Sequence, residues 1–326
     1  MPNTILMLAL GLAAQAPESL LVVTNKDENT ISVVSLASGA TLATLPAGLG
    51  PHEVAASGDG RWAVATDYGA REPGATLTVV DLRTLSVART ISLGPHRRPH
   101  GIVFLPDNRT VAVTSETSQR VLLVDVVEGR LVSEHATGQE VSHMVALTAD
   151  GKTGYTANIR PGTLSRVDLT GGAEPSTLSV GPMTEAIALT PDGTQVWLGS
   201  NTTGKVYVVA SGAWRVADSL QTSGHPYRIG FTPDGARAVI TNPQADEVRV
   251  IDVRTRAPLA VITISPPAGK AGPSQPFGVA FAPDSRTVWI TLRGSNAVAE
   301  LDLASNAVRR YLPVGAGPDG IAFTVR

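Results

Sequence analysis

The chain has 326 residues, a formal charge of −2 at pH 7 and no cysteine. That length permits one large domain or two ordinary ones. The slight acidic balance gives no footprint for nucleic acid or an anionic membrane, and the lack of thiols excludes disulfides and thiolate chemistry.

In chain order, the first segment, MPNTILMLALGLAAQAPES, joins a short apolar run to small residues, the pattern of a secretory signal. No positive charge precedes the run. Residues 1–16 are nevertheless expected to be a signal peptide cleaved near Ala13–Ala16, and the run is too short for a comfortable membrane span. The mature part, 17–326, is then expected to be a periplasmic or secreted monomer without a membrane span.

Beyond it, an apolar run, a tight turn and a second apolar run recur. The turns are Asp59-Gly60, Asp107-Asn108, Asp150-Gly151, Asp192-Gly193, Asp234-Gly235 and Asp284-Ser285, spaced by 48, 43, 42, 42 and 50 residues. Asp-Gly between two apolar runs signals a hairpin, because glycine accepts the positive φ that a tight turn needs. In most units a third run ends on an aspartate (Asp81, Asp125, Asp168, Asp252, Asp302), read as a cap on the next turn. A fourth, more polar run follows, as an outer edge strand requires. Four strands every 42–50 residues is the period of a β-propeller blade. A seventh unit is split, with GIAFTVR at the C-terminus and LLVVTN, TISVVSL and ATLATLP near the N-terminus. The fold class is therefore all-β: a seven-bladed β-propeller of four-stranded blades, its ring closed by N- and C-terminal strands in one blade.

The stretches LLVVTNKDENTISVVSLASGATLATLPAG and TPDGARAVITNPQADEVRVIDVRTRAPLAVI resemble the YVTN-repeat, YncE-like propellers, from about residue 19 onward. The resemblance implies the fold and an exported protein. It implies no particular activity, since similar seven-bladed frames occur in lactonases, lyases and amine dehydrogenase subunits.

Seven residues before each turn aspartate stand His52, His100, His143, Glu185, Tyr227 and Phe277, and alignment of the split unit adds Asp319. These positions should ring one mouth of the central channel, opposite the Asp-Gly turns. Three of the chain's six histidines fall there, in consecutive blades. Three imidazoles and a carboxylate are donors that Zn, Mn, Fe or Cu favours, so His52, His100, His143 and Glu185 are the expected ligands of a divalent metal ion and the expected catalytic groups. The alternative is that they hydrogen-bond water and loop backbone. A second ring at the strand-two ends, including Asn25, Asp67 and Asn158, is read as turn caps. Around the mouth, Tyr68, Glu116, Arg160, Tyr227, Arg228, Arg293 and Asp319 are expected to bind substrate, the arginines orienting an anion. His96, His135 and His225 lie off the register.

Two function classes follow. One is a metal-assisted lyase or hydrolase, such as a lactonase, acting on an anionic small molecule or glycan. The other is a non-catalytic propeller of the cell envelope that binds a protein, glycan or metal. An amine-dehydrogenase-type subunit ranks third. Nucleic acid is excluded as a partner.

Overall fold

The computed structural model describes residues 17–326; the expected signal peptide, 1–16, lies outside the described residues. Regular structure among the described residues is β-strand, in seven four-stranded antiparallel sheets. Six sheets use consecutive strands. Their innermost strands are Pro51–Ala56, Pro99–Phe104, Ser142–Leu147, Thr184–Leu189, Arg228–Phe231 and Pro276–Phe281, which define blades one to six. The seventh sheet is ordered Pro318–Val325, Ser19–Asn25, Thr30–Ser35, Thr41–Pro46, so the C-terminal strand pairs with the N-terminal one as the sequence requires. Each inner strand contacts the next, and Pro318–Val325 contacts Pro51–Ala56, which closes the ring.

The burial pattern follows from this arrangement. Middle strands bury both faces: Leu20, Leu21, Val22 and Val23 are fully covered. Their apolar side chains meet those of the adjacent blade, as where Val64, Leu77 and Val79 of blade one join Val111, Val113 and Leu122 of blade two. Truncating one such leucine to alanine costs about 2–5 kcal/mol. Outer strands alternate instead, exposing every second residue in Ser86–Ser92.

The turn chemistry is as expected. Each turn aspartate accepts the backbone N–H two residues on, at 2.8–3.1 Å. Four of the aspartates ending the third strands do likewise, as Asp81 with Arg83 N at 2.9 Å and Asp302 with Ala304 N at 2.8 Å, while Asp252 accepts from Thr255 N, three residues on, at 2.7 Å. The second-ring residues Asn25 and Asn158 do something other than cap a backbone turn. Asn25 Nδ2 donates to Thr30 Oγ1 and Ser32 Oγ at 2.9 and 2.8 Å, and Asn158 Nδ2 to Thr163 Oγ1 and Ser165 Oγ at 3.1 and 2.9 Å. These amides are fully buried between strands, so the nearest available partners are hydroxyls on the neighbouring strand.

Candidate metal centre at the channel mouth

The residues read as a ring lie at or beside the starts of the inner strands, and the backbone there is irregular. In blade three Ser142 pairs with Asn158 and Met144 with Ala157, leaving His143 as an extra residue; in blade four Glu185 is extra in the same way. The pairing also shifts between Pro51 and Val54, Pro99 and Ile102, Pro276 and Val279, and between the partners of Pro318 and Ile321. A bulge bends its strand and re-aims a side chain. Here it turns the ring residues toward the axis.

Threonines hold these bulges. Thr24, Thr114 and Thr291 each accept a backbone N–H within an inner strand (Gly320, Gly101 and Gly278, at 2.9, 2.9 and 2.7 Å). The same hydroxyls donate to the carbonyl of the next ring residue: His52, His143 and Asp319, at 2.7, 2.6 and 2.7 Å. One buried hydroxyl thereby fixes the bulge and ties it to the following blade.

The mouth is filled by side chains. His52, His143, Glu185, Tyr227 and Asp319 are all buried, and His100 is 0% exposed. The His100 ring lies between the others, its centroid 4.2 Å from that of His52 and 3.5 Å from that of His143. His52 Nδ1 is 3.3 Å from Asp319 Oδ2 and 3.6 Å from Glu53 Oε1. His143 Nδ1 meets Glu116 Oε1, and its Nε2 lies 3.3 Å from Glu185 Oε1. Tyr68 Oη donates to the other oxygen of Glu116 at 2.9 Å. Arg228 pairs with Glu53 and lies 3.9 Å from Glu185, which also accepts from Asn201 Nδ2.

Two sets of three potential ligands result, each with its donor atoms within 4.8 Å of one another: His52, Glu53 and His100, and His100, Glu116 and His143. His100 belongs to both. Both its ring nitrogens are buried without a hydrogen-bond partner. A buried polar atom left unpaired costs about 1–3 kcal/mol, so this side chain is placed for a ligand that the protein does not itself supply. Of the four expected ligands, the three histidines fall within these sets. Glu185 instead faces His143 and Arg228, and Glu116, expected to touch substrate, stands among the potential ligands.

Charge is divided sharply across the cluster. Burial, with His143, His52 and Arg228 nearby, holds His100 well below the usual histidine range, so it is neutral and can ligate. Burial acts the same way on His143, but hydrogen bonds and charge from Glu116 and Glu185 outweigh it and raise its pKa to about 9. For Glu53 burial favours the neutral acid, but Arg228 and His52 overcome it and bring the pKa down to about 2. Glu185 is held well below the carboxylate range against the same opposition, by His143, His225 and Arg228. Burial and the Glu116 carboxylate push Tyr68 up to about 12, so it remains a donor.

The remaining expected contacts divide into two groups. Tyr227, Arg228, Arg293 and Asp319 lie together: Tyr227 Oη is 3.4 Å from Asp319 Oδ1, and Arg293 Nη1 and Lys26 Nζ are 3.8 and 3.7 Å from Asp319 Oδ2. Arg160 is 74% exposed, 3.7 Å from Glu140, and lines with it an outer cleft that Tyr68 and Glu116 also border. His96 and His135 sit away from the ring, beside Ser118 and Ser133, while His225 Nε2 is 3.7 Å from Glu185. The repeat alignment missed Glu53 and Lys26. Glu53 is adjacent to a ring histidine in the sequence, but only the two-residue bulge at Pro51/Val54 brings it to the axis alongside His52.

No protein-family model matches the chain, and no curated protein matches it in sequence. Solved structures match in shape. A chain of hydrazine synthase from Kuenenia stuttgartiensis is similar with a TM-score of 0.73 and 21% identity, covering 84% of this chain and 89% of that one. A protein of unknown function from Desulfotomaculum acetoxidans DSM 771 is similar with a TM-score of 0.76 and 13% identity, covering 94% and 98%. These likenesses establish the fold. The resemblance to YVTN-repeat propellers rests on the repeated residues themselves.

Proposed function

We propose that the chain is an exported, YncE-like metal-binding propeller, and that its ion serves a lyase or hydrolase reaction on an anionic small molecule or glycan. The observation that carries this reading is His100: neutral, fully buried, unpartnered at both nitrogens and shared by two sets of ligands. Two imidazoles and one carboxylate suit Zn, Mn, Fe or Cu and leave coordination positions for water or substrate. A divalent ion there would supply Lewis acidity toward a substrate carbonyl or carboxylate. The protein's own groups would do the rest. Arg228 keeps Glu53 ionised and in place, Glu185 stays ionised and holds His143, and Tyr68 stays protonated as a hydrogen-bond donor. A non-catalytic binding propeller is the second reading, favoured by the near-complete burial of the ring.

The test is metal content. Stripped protein titrated with Zn²⁺, Mn²⁺, Fe²⁺ and Cu²⁺ should take up at least one of them tightly. His100→Ala should abolish uptake while circular dichroism stays unchanged, and His96→Ala and His135→Ala should keep it. Wild-type protein that takes up none of the four overturns the reading.

A further inference from the structure

Beside the ring, a cleft of about 490 Å³ opens between blades two, three and four. Tyr68 and Glu116, which face the buried histidines, form part of its wall, together with Arg98, Val141, Ile159 and Met183. Three of these residues share an unusual backbone state. The residue two places before a ring residue takes a positive φ at Gly50 (58°), Arg98 (51°), Val141 (51°), Met183 (51°), Gln275 (54°) and Gly317 (64°). Glycine enters this left-handed region freely, whereas a side chain there costs roughly 1–2 kcal/mol and a β-branched one is a true outlier. Blades two, three, four and six nevertheless carry Arg, Val, Met and Gln at this position, and the first three of these side chains line the same cleft. The repeat geometry thereby brings one guanidinium and two apolar side chains from neighbouring blades to one cavity wall.

The chemistry of the wall names that ligand. Arg98 forms no ion pair with a carboxylate among the described residues; its guanidinium donates to Ala70 O at 3.2 Å and stands 4.8 Å over the Tyr68 ring. A guanidinium placed over an aromatic ring can still offer edge N–H groups to a planar carboxylate. Val141 and Ile159 are half-buried, and Met183 is 36% exposed, unusual for a large apolar side chain here. The Glu116 oxygens are already engaged by Tyr68 and His143, which blunts repulsion of a bound anion.

We propose that this cleft binds an amphiphilic carboxylate, a medium-length hydrocarbon chain ending in one carboxyl group, with the carboxyl on Arg98 and the chain along Val141, Ile159 and Met183. This supplies the substrate class for the metal reading and rests on it for any chemistry, but binding itself is measurable in metal-free protein.

The experiment is calorimetric titration with acetate, butanoate, hexanoate and octanoate, with octanol as the uncharged control. In wild type each added methylene should tighten binding about three- to four-fold, and octanol should bind at least ten-fold more weakly than octanoate. Arg98→Gln should weaken every acid about ten-fold and leave the chain-length dependence intact. Val141→Gly paired with Met183→Gly should flatten that dependence. The glycines also relieve the positive-φ strain, so melting temperature should hold or rise, an outcome opposite to that of a purely structural role. Affinity independent of chain length, or unchanged in the glycine variant, overturns the proposal. Metal content is read in parallel. Carboxylate binding without metal uptake refutes the metal reading alone, and metal uptake without carboxylate binding refutes this one alone.

Discussion

Asp67 occupies the second-ring position that asparagine holds in blades three, five and seven, and it should make the fold less stable at neutral pH than an asparagine would. The carboxylate is 1% exposed. It accepts Thr76 Oγ1 at 2.7 Å, Thr78 Oγ1 at 3.0 Å and Gly48 N at 3.0 Å. Burial outweighs those three donors and raises its pKa from 3.8 to about 6. A carboxyl with a raised folded pKa contributes stability in full below its unfolded value and loses it as pH climbs through the folded one. The interval from 3.8 to about 6 corresponds to about 3 kcal/mol lost by pH 7.5, an upper figure. Asp67→Asn removes the charge. The buried Asn25 and Asn158 amides show how the new side chain is satisfied, since Thr76 and Thr78 stand where their hydroxyl partners do and can turn to accept. The variant should therefore gain about 1–3 kcal/mol over wild type at pH 7.5 and little at pH 4. Urea denaturation of both proteins between pH 4 and 8 measures the difference. A variant less stable than wild type at pH 7.5, or a difference that does not change with pH, refutes the argument.

Thr114→Val removes the hydroxyl that joins Gly101 N to His143 O, so stability should fall by about 2 kcal/mol and metal uptake should weaken; a melting curve and metal analysis check both. Deleting residues 318–326 strips the inner strand from the blade that closes the ring and leaves Leu20 to Val23 unpaired on that side; the product should fail to fold, and a cooperative melt at the wild-type temperature would count against closure. In metal-free protein His143 should titrate near 9 rather than 6.5 by imidazole NMR, and its stabilising charge should be complete below 6.5 and lost as pH rises through about 9. A resonance titrating near 6.5 would mean that Glu116 and Glu185 do not hold the proton.

The seven blades were legible because each level of the sequence repeats the same instruction. Asp59 and its five counterparts mark the hairpins with their own side-chain hydrogen bonds. The largely apolar middle strands can be buried on both faces only between neighbouring sheets. The split blade followed from counting, since a seventh inner strand at the C-terminus needs the three unpaired strands at the other end.

The site was legible only to the depth at which the repeat is regular. Counting back from the turns located His52, His100 and His143, because alignment preserves register even where the strand bulges. It could not show that the bulge in blade one spans two residues and delivers Glu53 as well as His52 to the axis. Nor could it separate Glu116 from Glu185 as the carboxylate that shares a ligand set with His100, since Arg228 and Asn201 engage Glu185. A signal for how the backbone beside the ring is held was present in the threonines before the second-ring residues, Thr24, Thr66, Thr114, Thr241 and Thr291. Blades three and four have Ala157 and Gly199 there, and their bulges carry the same single extra residue as those of blades one, two and six. Where the threonine is present, its hydroxyl takes the backbone N–H that follows the ring residue, so that donor is not left buried and unpaired. The chemistry of this mouth is thus set by two coupled choices at each blade: which side chain stands at the ring, and whether a hydroxyl is present to hold the backbone that aims it.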